Sequence, residues 1–166
     1  MTGKKIRRII LLIIAALLIA AALIYTRPMT IAQHCPGLDL SECQQIRGYY
    51  HDGTTVALVQ FILEPEDPAF AQVMELFEGR TFRRSLRSLL PQGTRTHRTQ
   101  EGDFQWEVYF RFEQVPLPDG STVSGDILQF NNFYGELDLS FDGDSWRVTT
   151  SKQKQWLTEV MKVITP

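Results

Sequence analysis

Between Arg80 and Gln100 the sequence places Arg80, Arg83, Arg84, Arg87, Arg95, His97 and Arg98 without a single acid among them. The six cations are all arginine, whose planar fork of donors matches the oxygens of phosphate and carboxylate better than a lysine ammonium does. If Phe82, Leu86 and Leu89 face a core, then Arg83, Arg84 and Arg87 stay outside. These three residues form the expected site, and their chemistry is the non-covalent capture of an anionic partner. A lipid headgroup, a phosphate-bearing wall polymer or an acidic face of another envelope protein would serve. The plainer alternative is a solvated face paired with the chain's own acids.

Two cysteines offer a second kind of chemistry. Cys35 and Cys43 bracket Pro36 and Gly37, which can turn a short loop, so a disulfide between them is expected in an oxidising compartment. Free thiols are the alternative. His34 beside them does not make a metal site, because one histidine and two cysteines are too few ligands for a closed zinc centre. Phosphate loops, dinucleotide fingerprints, nucleophile elbows and helical His-Glu pairs are absent from the sequence, and no cofactor is implied. Asp142-Gly143-Asp144 reads as a hairpin turn, since the other ligands of a calcium loop are missing at the required spacing. His51 and His97 fall in a turn and a basic loop.

These residues have to be held by something, and the first thirty residues say where. Lys4, Lys5, Arg7 and Arg8 precede an unbroken apolar run from Ile9 to Tyr25 that has no charge, glycine or proline. At about 1.5 Å per residue the run makes roughly 25 Å of helix, near the lower limit for crossing a bilayer. Four basic residues before the run, against Arg27 alone just after it, put the N-terminus in the cytoplasm and the rest outside. A cleaved signal peptide is the rival reading, but the small residues Ala20 and Ala22 lie inside the run and Thr26-Arg27-Pro28 is a poor cleavage site. The expected organisation is a basic segment over 1–8, an anchor over 9–25, a tether over 26–44 and an extracytoplasmic domain over 45–166.

Within that domain, Gln45–Tyr50 and Thr54–Leu63 read as strands joined through His51-Asp52-Gly53. The second is apolar on both faces and suggests a central strand. Asp67 and Pro68 open a helix with Phe70, Val73, Met74 and Phe77 on one face, and Gly79 stops it. Arg80–Leu90 fits helix or strand equally. Phe104–Phe112 alternates strictly, and further strands follow around Val123–Phe130, Leu137–Phe141 and Trp146–Thr150. Ser151 is placed to cap a final helix carrying Trp156, Leu157, Val160, Met161 and Ile164. The expected fold is α+β: an antiparallel sheet of about six strands with two main helices on a face, behind one transmembrane helix. Strand, Asp-Gly turn, strand and helix occur twice, near Tyr50–Phe77 and Leu137–Ile164, an echo that chance hairpin chemistry explains.

Five of the seventeen basic residues and none of the nineteen acids lie before Pro28. From there on, 12 cations face 19 acids, a net charge of −7. That balance argues against nucleic acid as a partner. A short basic start, one anchor and a small α+β domain resemble the layout of many single-pass bacterial envelope proteins, a resemblance that implies a location and no activity. The sequence therefore points to a membrane-tethered, non-catalytic binding or accessory module; a small envelope enzyme such as a hydrolase is the alternative.

Overall fold

The computed structural model describes residues 3–51, 58–89, 106–133 and 136–165. Helix α1 spans Gly3–Tyr25, and within it Lys5–Tyr25 is long and apolar enough to cross a membrane, with a mean hydropathy of 2.7 and no burial against the rest of the chain. Its leucines and isoleucines are exposed on all sides.

Strands β1 (Pro28–Thr30), β2 (Gln45–His51), β3 (Leu58–Leu63), β4 (Thr81–Arg84), β5 (Trp106–Pro116), β6 (Thr122–Phe133), β7 (Glu136–Phe141) and β8 (Asp144–Thr150) form one antiparallel sheet. Its spatial order is β1-β4-β8-β7-β6-β5-β2-β3. Helices α3 (Pro68–Phe77) and α4 (Gln153–Ile164) pack on one face, and α2 (Ile31–His34) is a single turn. The α+β class with two main helices holds. The strand count is eight rather than about six, because β1 and β4 are too short to show a period.

Alternation sets the core. Trp106, Val108, Phe110 and Phe112 of β5 are buried while Arg111 is exposed. Phe77 of α3 sits at the centre, edge-on to Phe110 at 5.0 Å, Phe130 at 4.9 Å and Trp156 at 5.0 Å, an arrangement that aligns ring edges with ring faces. The Trp156 indole N–H donates to the Leu76 carbonyl at 2.9 Å, so its one polar atom is satisfied. Gly48 of β2 lies beneath the Phe61 ring and beside the Glu107 carbonyl, where a Cβ would overlap both.

Several expectations are corrected. Residues 26–44 are no tether: β1 pairs with β4, and Met29, Ile31, His34, Cys35, Leu38 and Cys43 are buried. Gly37, at φ +91°, lets this segment press against the Pro116 carbonyl. Strand β3 is not central but the far edge of the sheet, with Leu58, Val59 and Ile62 exposed. Arg80–Leu90 divides into β4 and a four-residue 3-10 turn, Leu86–Leu89, in which Leu86 and Leu89 are exposed rather than in the core. Asp67 occupies the cap position of α3, but its carboxylate accepts from the Glu64 N–H at 2.7 Å instead of from the helix. Lys152 at φ +50°, not Ser151, precedes α4. The twice-seen order is real as β2-β3-α3 and β7-β8-α4, but one hairpin ends the sheet and the other lies inside it. The turn 52–57, Leu90, the loop with Arg95, His97 and Arg98, and Phe104 lie outside the described residues.

Candidate functional site at the anchor-side corner of the sheet

The register of β1 and β4 decides where the arginines lie. Pro28 stands opposite Arg83 and Thr30 opposite Thr81. Strand β1 leaves the end of the anchor, so β4, running antiparallel, heads back toward it and ends there at Arg84. Only Thr26 and Arg27 separate α1 from β1. Both amides still bond into the helix, Thr26 N–H to Ala22 O at 3.0 Å and Arg27 N–H to Ile24 O at 3.4 Å.

Successive strand residues point to opposite faces, so Arg83 and Arg84 diverge. Arg83 is exposed, and among the described residues neither it nor Arg27 has a carboxylate partner. Arg84 is half-buried. Its guanidinium lies 4.3 Å from the Trp146 ring centre and 5.9 Å from that of Tyr25, the last residue of the anchor. Its Nε–H donates to His34 Nδ1 at 3.3 Å. Arg87, on the 3-10 turn, is largely exposed and 3.6 Å from Glu136, a separation and exposure at which an ion pair contributes little. The structure therefore brings all three expected site residues to one corner, with Arg84 turned inward.

His34 shows how tightly that corner is built. Its Nε2 is 3.1 Å from the Phe82 carbonyl, which only accepts, so Nε2 carries the proton. Nδ1 is then the acceptor for Arg84, and the ring is neutral. Burial, with the Arg84 charge adding to it, holds the imidazole pKa below its ordinary value. Both ring nitrogens are thus committed within the protein. A cavity of about 350 Å³ beside His34 and Trp146 is lined also by Asp119, Asp142 and Asp144.

The turn after β4 is tied down by backbone. The Ser85 N–H donates to the Arg147 carbonyl at 2.8 Å; Ser88 Oγ donates to the same carbonyl at 3.1 Å and accepts the Arg147 N–H at 2.9 Å. Arg147 itself is buried between Glu136 and Asp138 and is no part of an accessible patch.

The expected disulfide is not formed. Cys35 and Cys43 are both free and buried, and the Cys43 thiol donates to the Gln45 carbonyl at 3.4 Å. Burial disfavours the thiolate and pushes Cys35 up to about 12 and Cys43 up to about 11. Among the described residues no three His, Cys, Asp or Glu side chains are grouped to hold a metal ion.

A larger groove of about 930 Å³ runs between α3, α4 and the β8–α4 turn. Arg80, Lys152 and Lys162 line it together with Glu75, Glu78 and Glu159, so it favours neither sign of charge. Arg80 is spent on structure, stacking 4.9 Å from Trp156 and donating to Ser151 O at 3.0 Å.

Comparison with known protein families, curated proteins and solved structures finds no match. The geometry alone carries the reading.

Sequence reasoning named Arg83, Arg84 and Arg87 but not Tyr25, His34 and Trp146 as the neighbours of Arg84. The partnership of His34 with Arg84, 50 residues apart, had no signal in the sequence.

Proposed function

We propose that this chain is a non-catalytic, membrane-held binding or accessory module. Its N-terminus is cytoplasmic, its folded body is extracytoplasmic, and its arginine corner captures an anionic partner. One observation carries the reading: Arg83 pairs with Pro28, three residues beyond α1, and is exposed without a carboxylate partner among the described residues. The basic start before α1 supports the orientation. The pairing of His34, Arg80 and Arg147 with other parts of the chain supports a binding rather than a catalytic role, since the groups best placed for proton transfer or substrate charge are already used.

Titration of the full chain in phosphatidylcholine nanodiscs with soluble polyphosphate tests this reading. Binding that weakens with salt and with Arg83→Ser plus Arg87→Ser is the expected result. Equal binding by wild type and variant contradicts it. The orientation is tested separately by protease added outside cells, which should remove the body and leave a short membrane fragment.

A further inference from the structure

The arginine corner carries more than charge. Directly after Arg83 and Arg84, the 3-10 turn presents Leu86 and Leu89 to solvent, 49% and 66% exposed, on either side of Arg87. The two leucines flank a cation, and exposed apolar side chains beside cations suit an interface with an anionic, partly apolar partner. The alternation of cation and leucine is the pattern of a segment lying in a bilayer interface, with cations at the phosphates and apolar side chains below them.

The chain path puts that segment at the right depth. The span ends at Tyr25, and Pro28 is three residues further on. Even fully extended, three residues advance about 10 Å, while each headgroup layer is roughly 5–7 Å thick. Arg27 therefore lies at headgroup level, and Arg83, opposite Pro28, lies at its outer margin. Strand β4 runs back toward the Pro28 end of β1, two residues from α1, and Leu86–Leu89 follow it. Arg84, 4.3 Å from the Trp146 ring centre and 5.9 Å from that of Tyr25, links the corner to the end of α1.

We infer that this corner seats on the anionic headgroups of the bilayer that α1 spans: Arg27, Arg83 and Arg87 take lipid phosphates, Leu86 and Leu89 enter the acyl boundary, and Arg84 is the positioning residue. The inference rests on the anionic-partner reading above and names the partner. A polymer further out would meet the corner only after the lipid does, and the lipid is present at high effective concentration because the chain is anchored in it. The acidic residues Asp119, Asp142 and Asp144 line the cavity beside Trp146, so among the described residues the positive charge of this corner lies on Arg27 and the β4–turn segment.

The test uses the full chain with Cys35→Ala and Cys43→Ala and a nitroxide at Leu89→Cys or, as a control on the far edge, at Gln60→Cys. It is reconstituted in bilayers of phosphatidylcholine alone or with a third of phosphatidylglycerol. Collision with lipid-dissolved oxygen and with an aqueous nickel chelate reports depth. In the anionic bilayer the label at position 89 should be shielded from nickel and open to oxygen, and the label at position 60 should be aqueous. Removing each of Arg27, Arg83 and Arg87 by serine should lower the docked-to-free ratio roughly fivefold, and lysine at the same positions should largely restore it. Should the serine variants lose their near-ultraviolet dichroism, high salt on the unsubstituted arginines supplies the same comparison. An aqueous label at position 89 in both bilayers overturns the inference. If soluble polyphosphate still binds in an arginine-dependent way, the broader reading survives; if that binding is absent too, both fall.

Discussion

The two edges of the sheet are built on opposite plans. At the anchor side, β1 and β4 are three and four residues long, and their exposed side chains include Arg83. At the far side, β3 has six residues and shows Leu58, Val59 and Ile62 to solvent. Short, charged strands are a usual protection of an open edge, and apolar ones invite pairing. The near edge is held by more than its ladder, since His34, Arg84 and Trp146 contact one another there and Arg84 also approaches Tyr25. The far edge is held by strand pairing and by the Phe61 ring over Gly48. The difference teaches that one edge carries a partly buried polar contact, His34 to Arg84, where the other exposes apolar side chains.

The largest effects should come from the packed centre of the near edge. Phe82 is fully buried, between Met29 and Thr150 in register and 5.2 Å from Phe130. Phe82→Ala should cost about 3–5 kcal/mol. Gly48→Ala, which strains the far edge, should cost about 1–3 kcal/mol by overpacking. Denaturant unfolding in nanodiscs measures both, and a larger loss for Gly48→Ala would reverse the comparison.

Arg84→Ala comes next. It removes two ring contacts and leaves His34 Nδ1 buried without a donor, for an expected loss of about 1–3 kcal/mol. Arg83→Ala, one residue away on an exposed face, should stay within about 0.5 kcal/mol. Arg84→Lys should rescue little, since a lysine has no planar face to stack between Trp146 and Tyr25. Equal effects at positions 83 and 84 would show that Arg84 does not link the corner as described.

His34 adds a pH dependence of known sign. Its folded pKa lies below the ordinary value of 6.5, so the unfolded chain takes up the proton first. Stability should therefore be unaffected by this group above pH 6.5 and should fall as the pH drops below it, until the folded pKa is reached. His34→Gln keeps a donor and an acceptor and should remove that part of the slope, as unfolding midpoints at several pH values will show.

The cysteines give the smallest effect on energy but a clear contrast. In a loose tether both thiols would alkylate readily. Buried, with their pKa values raised to about 12 and about 11, they should resist iodoacetamide in the folded protein and react together on unfolding. A digest in which the two peptides are linked would contradict the free-thiol structure.

What the sequence made legible follows from length and regularity. Trp106 to Phe112 alternates over enough residues to name its strand and its buried face, both long helices of the body announced themselves by period, and α1 by its unbroken apolar run. Strand β1 has three residues and β4 four, and no period can be read from so few. The buried side chains Ile31, Cys35, Leu38 and Cys43 follow no constant spacing, so a folded segment looked like a tether. In β3 an apolar pattern on both faces fitted a central strand, and only the pairing shows that it ends the sheet. Leu86 and Leu89 sit three apart, as on a helix, but the turn they occupy is too short to bury either. At the site, the clustered arginines were visible from charge alone. Which of them turns inward was not, because that depends on Tyr25, His34 and Trp146, which lie far away along the chain.

The central claim is that the body is held close to the end of α1 by a two-residue connection and by the Arg84–Tyr25 contact. Nitroxides on two exposed helical positions, Ala21 of α1 and Lys154 of α4, report on it directly when the full chain, with Cys35→Ala and Cys43→Ala, is held in nanodiscs. Pulsed dipolar spectroscopy should give one narrow distance distribution, and Arg84→Ala or a Gly-Ser insertion after Tyr25 should broaden it. A broad distribution in the otherwise unaltered chain, unchanged by either alteration, would mean that the body rides on a loose tether and that the account is wrong.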